Sequence, residues 1–425
     1  MGRGFYTIMA AQFFSSLADN ALFIAAIALL KQSGAPAWHS AALVPMFALF
    51  YVVLAPYVGA FADYLPKGRV MFISNIIKVA GCLLMLFGTH PLLSYAIVGL
   101  GAAAYSPAKY GILTEMLPVS KLVTANGWIE GLTIASIIFG VVLGGQLIGN
   151  PVSTQLLAFD MPWFDTGVDT PAEAAISSIL ILYIVAAAFN LFIPRTSAHL
   201  LPLPKNPVAT LADFMDCNSR LWRDKLGQIS LSTTTLFWGV AGNLRYIVLA
   251  WAAVALGYST TQASSLVGVV AIGTGVGAVA ASVWMKLDRA TTVIPLGIAM
   301  GLTVLLMNFI STPLVAAPFL IILGALGGFL VVPMNALLQH RGHSLMGAGR
   351  SIAVQNFNEQ AAILALGGFY TLMTSLELSI NVSVAIFGLL VAGFMYVIGR
   401  WHQSNLVHHS AELDRLLAMA KSDKH

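Results

Sequence analysis

Twelve apolar stretches of about 20 residues, separated by short polar loops, restrict this chain more than any other feature, because each is long enough to cross a bilayer as a helix. Inside hydrocarbon every backbone polar group must be paired within the chain, so only helices or a closed barrel can span. Barrel strands would alternate polar and apolar residues, and no such alternation occurs. The spans fall at 5–31, 40–63, 69–89, 92–117, 122–149 and 175–194, then 227–257, 262–287, 291–310, 315–340, 346–375 and 379–400. The first is too long for a signal-peptide core and is broken by Asp19 and Asn20, so it counts as a helix. Of 425 residues, 58% are hydrophobic and 9% charged, whereas soluble domains are about a quarter charged. An all-α polytopic membrane protein is expected.

Charge gives the orientation. Of 21 Lys and Arg, 17 lie in the loops, tails and helix ends of the side that carries both termini, one (Lys31) lies on the other side, and three (Lys78, Lys109, Arg245) lie within spans. This bias places both termini in the cytoplasm. The net charge of +4 is spread over short loops and forms no patch for nucleic acid. The two cysteines, Cys82 and Cys217, give no disulfide framework. No metal, cofactor or nucleic acid is expected.

The domain plan is a six-helix bundle over 1–194, a cytoplasmic linker over 195–226, a second six-helix bundle over 227–400 and a cytoplasmic tail over 401–425. Within the linker, Pro202, Pro204 and Pro207 precede an amphipathic stretch, residues 208–224, that reads as an interfacial helix. The external segment 150–174 combines Asp160, Asp165, Asp169 and Glu173 with Leu156, Leu157, Phe159, Trp163 and Phe164; it is expected to pack on helix ends, the alternative being contact with outer headgroups. The tail is expected to be helical and exposed.

The halves repeat each other. Leu17–Asn20 (LADN) echoes Val240–Asn243 (VAGN), and Tyr57–Asp63 echoes Gly275–Ala281. Pro107 matches Pro333, which sets Lys109 against Asn335 and Glu115 against Arg341. Lys121, Asn126 and Glu130 align with Arg350, Gln355 and Glu359. Six plus six spans with parallel half repeats is the plan of the major facilitator superfamily, whose substrate site lies near the midplane between halves. The loop after the second span resembles that superfamily's signature through Gly59, Asp63, Lys67, Gly68 and Arg69, with Tyr64 where an arginine is usual and a turn two residues longer. Asp63 is expected to cap or lock a neighbouring helix through Lys67, Arg69 or Lys121.

Ionisable residues inside spans are costly and therefore functional candidates. At about 1.5 Å per residue, Lys78, Lys109, Glu130 and Glu359 come out roughly 10 to 14 Å deep, and Asp19 and Arg245 roughly 20 to 25 Å, in a second layer. Asp19 and Arg245, on repeat-related helices, are expected to form an outer gate; the competing reading is a permanent pair that aids assembly. Gln355 and Glu359 share a helical face, as do Asn126 and Glu130, and Tyr105 and Lys109. Pro107 frees the carbonyl of Ala103 beside the lysine. A phosphate suits Lys109 as a point charge, with a tyrosine hydroxyl as a further donor; against this, the lysine stem can reach the interface. The candidate substrate residues are Asp19, Asn20, Lys78, Tyr105, Lys109, Tyr110, Glu130, Arg245, Asn335, Gln355, Asn356 and Glu359. Gating is expected of Asp19, Arg245, Asp63, Lys67, Arg69, Glu115, Lys121, Arg341 and Arg350.

Composition and spacing by themselves reach only a facilitator-type transporter of a polar or amphipathic solute. Several stretches resemble one branch, the bacterial lysophospholipid transporters: QFFSSLADNALFIAAIALLK, GRVMFISNIIKVAG, GLGAAAYSPAKYGILTEM, SKLVTANGWIE, SLSTTTLFWGVAGNLRYIVLAW and GGFLVVPMNALLQHRGHSLMGAGRSIAVQNFNE. Segment 150–174 and the tail do not share the pattern. The resemblance implies flipping of lysophospholipids, chiefly lysophosphatidylethanolamine, from the outer to the inner leaflet of the bacterial inner membrane. It also implies reacylation there by a separate acyltransferase and acyl-carrier-protein synthetase, and a monomeric transporter is expected. Two other classes compete. A proton-coupled small-solute or drug porter would use Glu130, Glu359 or Asp19 as its proton site. A membrane acyltransferase is suggested only by the spacing of His409 and Asp414, in a tail without the accompanying motifs.

Overall fold

Apolar runs become long helices throughout, and the described residues contain no strand. The computed structural model describes residues 2–116, 119–158, 167–196, 200, 206–346 and 348–422; of these, the side chains of 63, 114, 119–127, 130, 282, 343, 348–349 and 419–422 lie outside the description. The helices are α1 (Arg3–Gln32), α2 (Ala37–Val53), α3 (Ala55–Tyr64), α4 (Lys67–Leu86), α5 (Pro91–Met116), α6 (Val119–Ile148), α7 (Val152–Leu157) and α8 (Pro171–Leu191). They continue with α9 (Pro207–Arg223), α10 (Gly227–Ala255), α11 (Thr260–Trp284), α12 (Ile294–Leu306), α13 (Pro313–Met346), α14 (Ala348–Ser375), α15 (Ile380–His408) and α16 (Ser410–Ser422). Among the described residues nine helices are long and apolar enough to cross a membrane, or ten if a bent pair counts as one span. α5 and α14, which carry Lys109 and Glu359, fall outside that set.

The chain divides into two compact units, residues 1–205 with 257–268, and 206–256 with 269–425. The amphipathic linker helix α9 thus belongs to the second unit, and the start of α11 to the first.

In the first unit the predicted span 40–63 is not one rod. It breaks at Leu54 into α2 and α3, which meet at 65°. Pro56 is the cause: it has no N–H to offer the preceding turn and its ring clashes there, while the Leu54 carbonyl accepts from Tyr57 and Val58 and starts a new helix. α5, in contrast, runs through Pro107 as one helix. Around its Tyr105–Leu113 portion, Phe5, Ile8, Met9, Val70, Met71 and Ile129 form a buried cluster. Gly101 allows α4 to approach, since a Cβ there would stand 2.6 Å from the Ser74 carbonyl and 2.7 Å from Lys78 Cγ. The external Glu173 serves locally: Thr170 and Glu173 form a capping box that begins α8 at Pro171. Leu156 and Leu157 end the short helix α7, whereas Phe159, Asp160, Trp163, Phe164 and Asp165 lie outside the described residues.

In the second unit, Asn206 caps α9 through the backbone N–H groups of Val208 and Ala209. α9 buries Phe214, Cys217 and Leu221 and exposes Val208, Leu211 and Met215 on another face. The tail departs from its expected exposure. α15 extends to His408, and α16 buries Leu413 and Leu416, because its apolar residues sit three apart on one face.

Candidate functional site

Each unit holds a buried polar cluster among its apolar helices. In the first, Asp19 on α1 is gripped from two sides: Lys78 Nζ donates to Oδ2 at 2.8 Å and the Tyr183 hydroxyl donates to Oδ1 at 2.7 Å. Lys78 also donates to Ser15 Oγ at 3.0 Å, and Ser15 Oγ donates to Asn75 Oδ1 at 2.7 Å. The Lys78 side chain is only 2% exposed. Its ammonium lies over the rings of Tyr105 and Tyr183, 5.2 and 5.6 Å from their centroids, so two negative ring faces add to the carboxylate in stabilising the buried charge.

The Asp19–Lys78 pair corrects the two-layer arrangement. α4 starts at Lys67 and α1 at Arg3, so counting along each helix separates the two by about 7 to 8 Å. The lysine stem spans most of that difference, and one neutral pair replaces two layers.

Lower on α5, Lys109 is 9% exposed and its ammonium lies 4.4 Å from the centroid of the Tyr110 ring. The Tyr105 hydroxyl is buried and makes no hydrogen bond among the described residues. A buried hydroxyl without a partner is costly, and it can both donate to and accept from a ligand. Asn20 turns back on its own helix, donating to the Ser16 carbonyl at 2.8 Å. The side chains of Asp63, Lys121, Asn126 and Glu130 lie outside the described residues.

In the second unit, Gln355 Nε2 donates to Asn335 Oδ1 at 2.7 Å and to Glu359 Oε1 at 2.8 Å. The spacing of four on α14 and the position of Asn335 two residues past Pro333 on α13 bring these three together. Glu359 is buried. Arg245 is half-buried on α10, and Asn356 is half-buried on α14. Neither joins the triad in any described contact. Asn243, the counterpart of Asn20, donates to the carbonyls of Gly239 and Ile363 at 2.8 and 3.1 Å, tying α10 to α14.

The residues expected to gate make separate pairs. Lys67 Nζ lies 3.3 Å from Glu115 Oε1 and donates to the Ala62 carbonyl at 2.7 Å; Thr196 donates to Glu115 Oε2 at 2.6 Å. Arg341 grips Asp224 with both arms of its guanidinium, Nε to Oδ1 at 3.1 Å and NH2 to Oδ2 at 2.6 Å. Arg350 meets Asp213 at 3.2 Å on an exposed surface, where such pairs contribute little. Arg69 joins none of these.

Sequence reasoning missed Ser15, Asn75, Tyr183, Asp224 and Asn358. Asn358 donates to Asn218 Oδ1 at 2.7 Å and accepts from Trp222 Nε1 at 3.1 Å, fastening α9 to α14. Asn358 and Gln355 are three apart on one helix, which was the available signal; nothing in the sequence marks Tyr183.

Long apolar helices in two compact units, with ionisable side chains held inside them, make a multi-pass membrane protein of the kind expected for a facilitator-type transporter. The sequence matches the Major Facilitator Superfamily over residues 8–365. It is 41% identical over 377 residues, 88% of either chain, to the proteins named lysophospholipid transporter LplT of Yersinia pestis (strain Pestoides F) and Yersinia pseudotuberculosis serotype O:3 (strain YPIII). Among solved structures, a bacterial homologue of the human lysosomal transporter Spinster, inward-facing and unoccupied, superposes with a TM-score of 0.63 at 14% identity, covering 98% of this chain and 95% of that one. A point mutant of the nucleoside transporter NupG gives 0.67 at 12% identity, covering 95% and 99%. At those identities the two structures speak to the fold alone. The chain belongs to the major facilitator superfamily and, within it, to the family of the Yersinia proteins. It is a transporter with the major facilitator fold, built of long apolar helices, and not an enzyme.

Proposed function

We propose that this chain moves lysophospholipids, chiefly lysophosphatidylethanolamine, from the outer to the inner leaflet of the bacterial inner membrane by alternating access. The observation that carries the reading is 41% identity across 88% of the chain to proteins named lysophospholipid transporters. The chemistry agrees with it. A lysophosphatidylethanolamine head group presents a phosphate and an ammonium. Lys109 and the Tyr105 hydroxyl, which has no hydrogen-bond partner among the described residues, suit the first, and a carboxylate, Glu130 or Glu359, suits the second. Asp19 and Arg245 act in this reading as the outer gate. The transporter works as a monomer with both termini in the cytoplasm, and a separate acyltransferase and acyl-carrier-protein synthetase restore the second acyl chain.

The test is leaflet-resolved uptake of labelled lysophosphatidylethanolamine into liposomes holding the purified protein. Uptake above that of protein-free liposomes is expected; its absence from folded protein defeats the reading. The same vesicles weigh the second reading, a proton-coupled small-solute or drug porter with Glu130, Glu359 or Asp19 as its proton site. Lipid-free solute uptake that follows an imposed proton gradient supports the porter.

A further inference from the structure

We infer that the first unit carries a second lipid site, distinct from the transport path, that holds the phosphate of an anionic phospholipid at the end of the bundle assigned by the positive-charge bias to the inner leaflet. A cavity of about 140 Å³ opens there between the start of α4 and the end of α8, lined by Gly68, Arg69, Asn190, Leu191 and Arg195 among others.

Three kinds of group converge on it. Asn190 is 2% exposed, yet neither its Nδ2 nor its Oδ1 has a hydrogen-bond partner among the described residues. A buried amide with both functions unsatisfied is costly, and a ligand oxygen would relieve the donor half. Arg69 and Arg195 are both exposed, and neither side chain makes an ion pair or hydrogen bond among the described residues. The first turn of α4 has no acidic residue and no side-chain cap; the N–H groups of Arg69 and Val70 already donate to the Pro66 carbonyl, which leaves the earlier N–H groups of the turn and the positive end of its dipole to face an anion. Gly68 seats that turn against α8: a Cβ would stand 3.1 Å from Ile193 Cβ and 3.2 Å from the Asn190 carbonyl.

The neighbouring charges permit an anion. The end of α8 opposes one through its own dipole, but Phe192 N–H and Ile193 N–H already bond the carbonyls of Phe189 and Asn190, and two arginines outweigh the remainder. Glu115, the carboxylate joined to the adjacent Thr196, is paired with Lys67.

Acyl contact separates a lipid from free phosphate. Leu191, which lines the cavity, is 64% exposed, and Phe192, the next residue in the chain, is 75% exposed, so a hydrocarbon chain leaving the cavity over Leu191 has apolar surface to cover. Arginine offers two parallel N–H donors to a phosphodiester, and the apolar rim takes the glycerol-linked chains. A phosphate without chains would leave that rim bare.

The experiment is native mass spectrometry of the purified full chain after exchange into micelles with equal phosphatidylglycerol and phosphatidylcholine. Wild type is expected to retain phosphatidylglycerol over phosphatidylcholine by about tenfold, as two charge-assisted contacts imply. Arg69→Gln with Arg195→Gln should abolish the preference, and Asn190→Ala should weaken it; Arg69→Lys with Arg195→Lys should keep part of it. Both arginines are exposed, so the fold is spared, and an unchanged thermal transition checks this. Equal retention of the two lipids by wild type, or undiminished preference in the glutamine variant, overturns the site. Displacement of the lipid by millimolar inorganic phosphate, with equal affinity for the two, overturns the lipid assignment in favour of a soluble anion. The arms are independent of lysophospholipid uptake, so failure of either inference leaves the other standing.

Discussion

Removing the Lys109 ammonium tests the head-group assignment at a single atom. Lys109→Ala is expected to lower lysophosphatidylethanolamine uptake about tenfold, the loss of one buried charge-assisted contact, while Lys109→Arg keeps a fraction; uptake by the alanine variant equal to wild type would reject the assignment. Asp19 and Lys78 ask a different question, since each neutralises the other inside the bundle. Lys78→Met leaves the carboxylate with Tyr183 alone and is expected to cost about 3 kcal/mol, most of it recovered when Asp19→Asn is added. Unfolding of the single and double variants in detergent measures this coupling. Outside the membrane, burial and then the charge of Asp213 push the Cys217 thiol up from its ordinary value. Its thiolate fraction at neutral pH is therefore small, and rises with pH. In a Cys82→Ala background, alkylation of Cys217 should be slow at neutral pH and accelerate by about tenfold per pH unit below its pKa; fast labelling that ignores pH would contradict the assignment. The ionisable residues themselves stand out in the sequence because the bilayer makes them expensive. Their partners do not. Whether Asp19 meets Lys78 depends on helix rotation and on a flexible stem, and Tyr183 is one apolar-looking residue among many on α8.

Helices were legible where their apolar runs were long and bounded by proline, glycine or charge, as at Pro91, Pro171 and Pro313. The break between α2 and α3 was not, because the run on either side of Pro56 is uniformly apolar and hydropathy carries no direction. The amphipathic pattern of α9 was visible, but one pattern serves a membrane surface and a protein groove equally well. The structure shows both kinds of face: Phe214, Cys217 and Leu221 turned inward, Val208, Leu211 and Met215 outward. The seat of α9 on α14 combines the ring contact of Phe214 with Phe357 and the polar contacts of Asn358 with Asn218 and Trp222. Asn358→Leu is expected to weaken that seat by about 1 to 3 kcal/mol. Trypsin should then cut after Arg220 or Arg223 about tenfold faster, since cleavage of a fraying segment follows the population of its open form. An unchanged cleavage rate would show that the apolar face alone holds the helix.

At the scale of the whole molecule, the repeat is the most informative signal in the sequence, since it sets Lys109 against Asn335 and Glu115 against Arg341. It could not say how each would be satisfied. Glu115 finds Lys67 within the first unit, whereas Arg341 finds Asp224, a residue in a connection that the repeat does not cover. For the gate, exchanging charges by Asp19→Arg with Arg245→Asp should restore part of the transport lost in each single variant. No rescue despite a normal thermal transition would discard it. Asp224 carries a last consequence. The same carboxylate that takes both arms of Arg341 also accepts the backbone N–H groups of Leu226 and Gly227 that open α10. The end of α13 and the first turn of α10 are therefore tied to each other through a single side chain. The junction is a mechanical linkage with one pin.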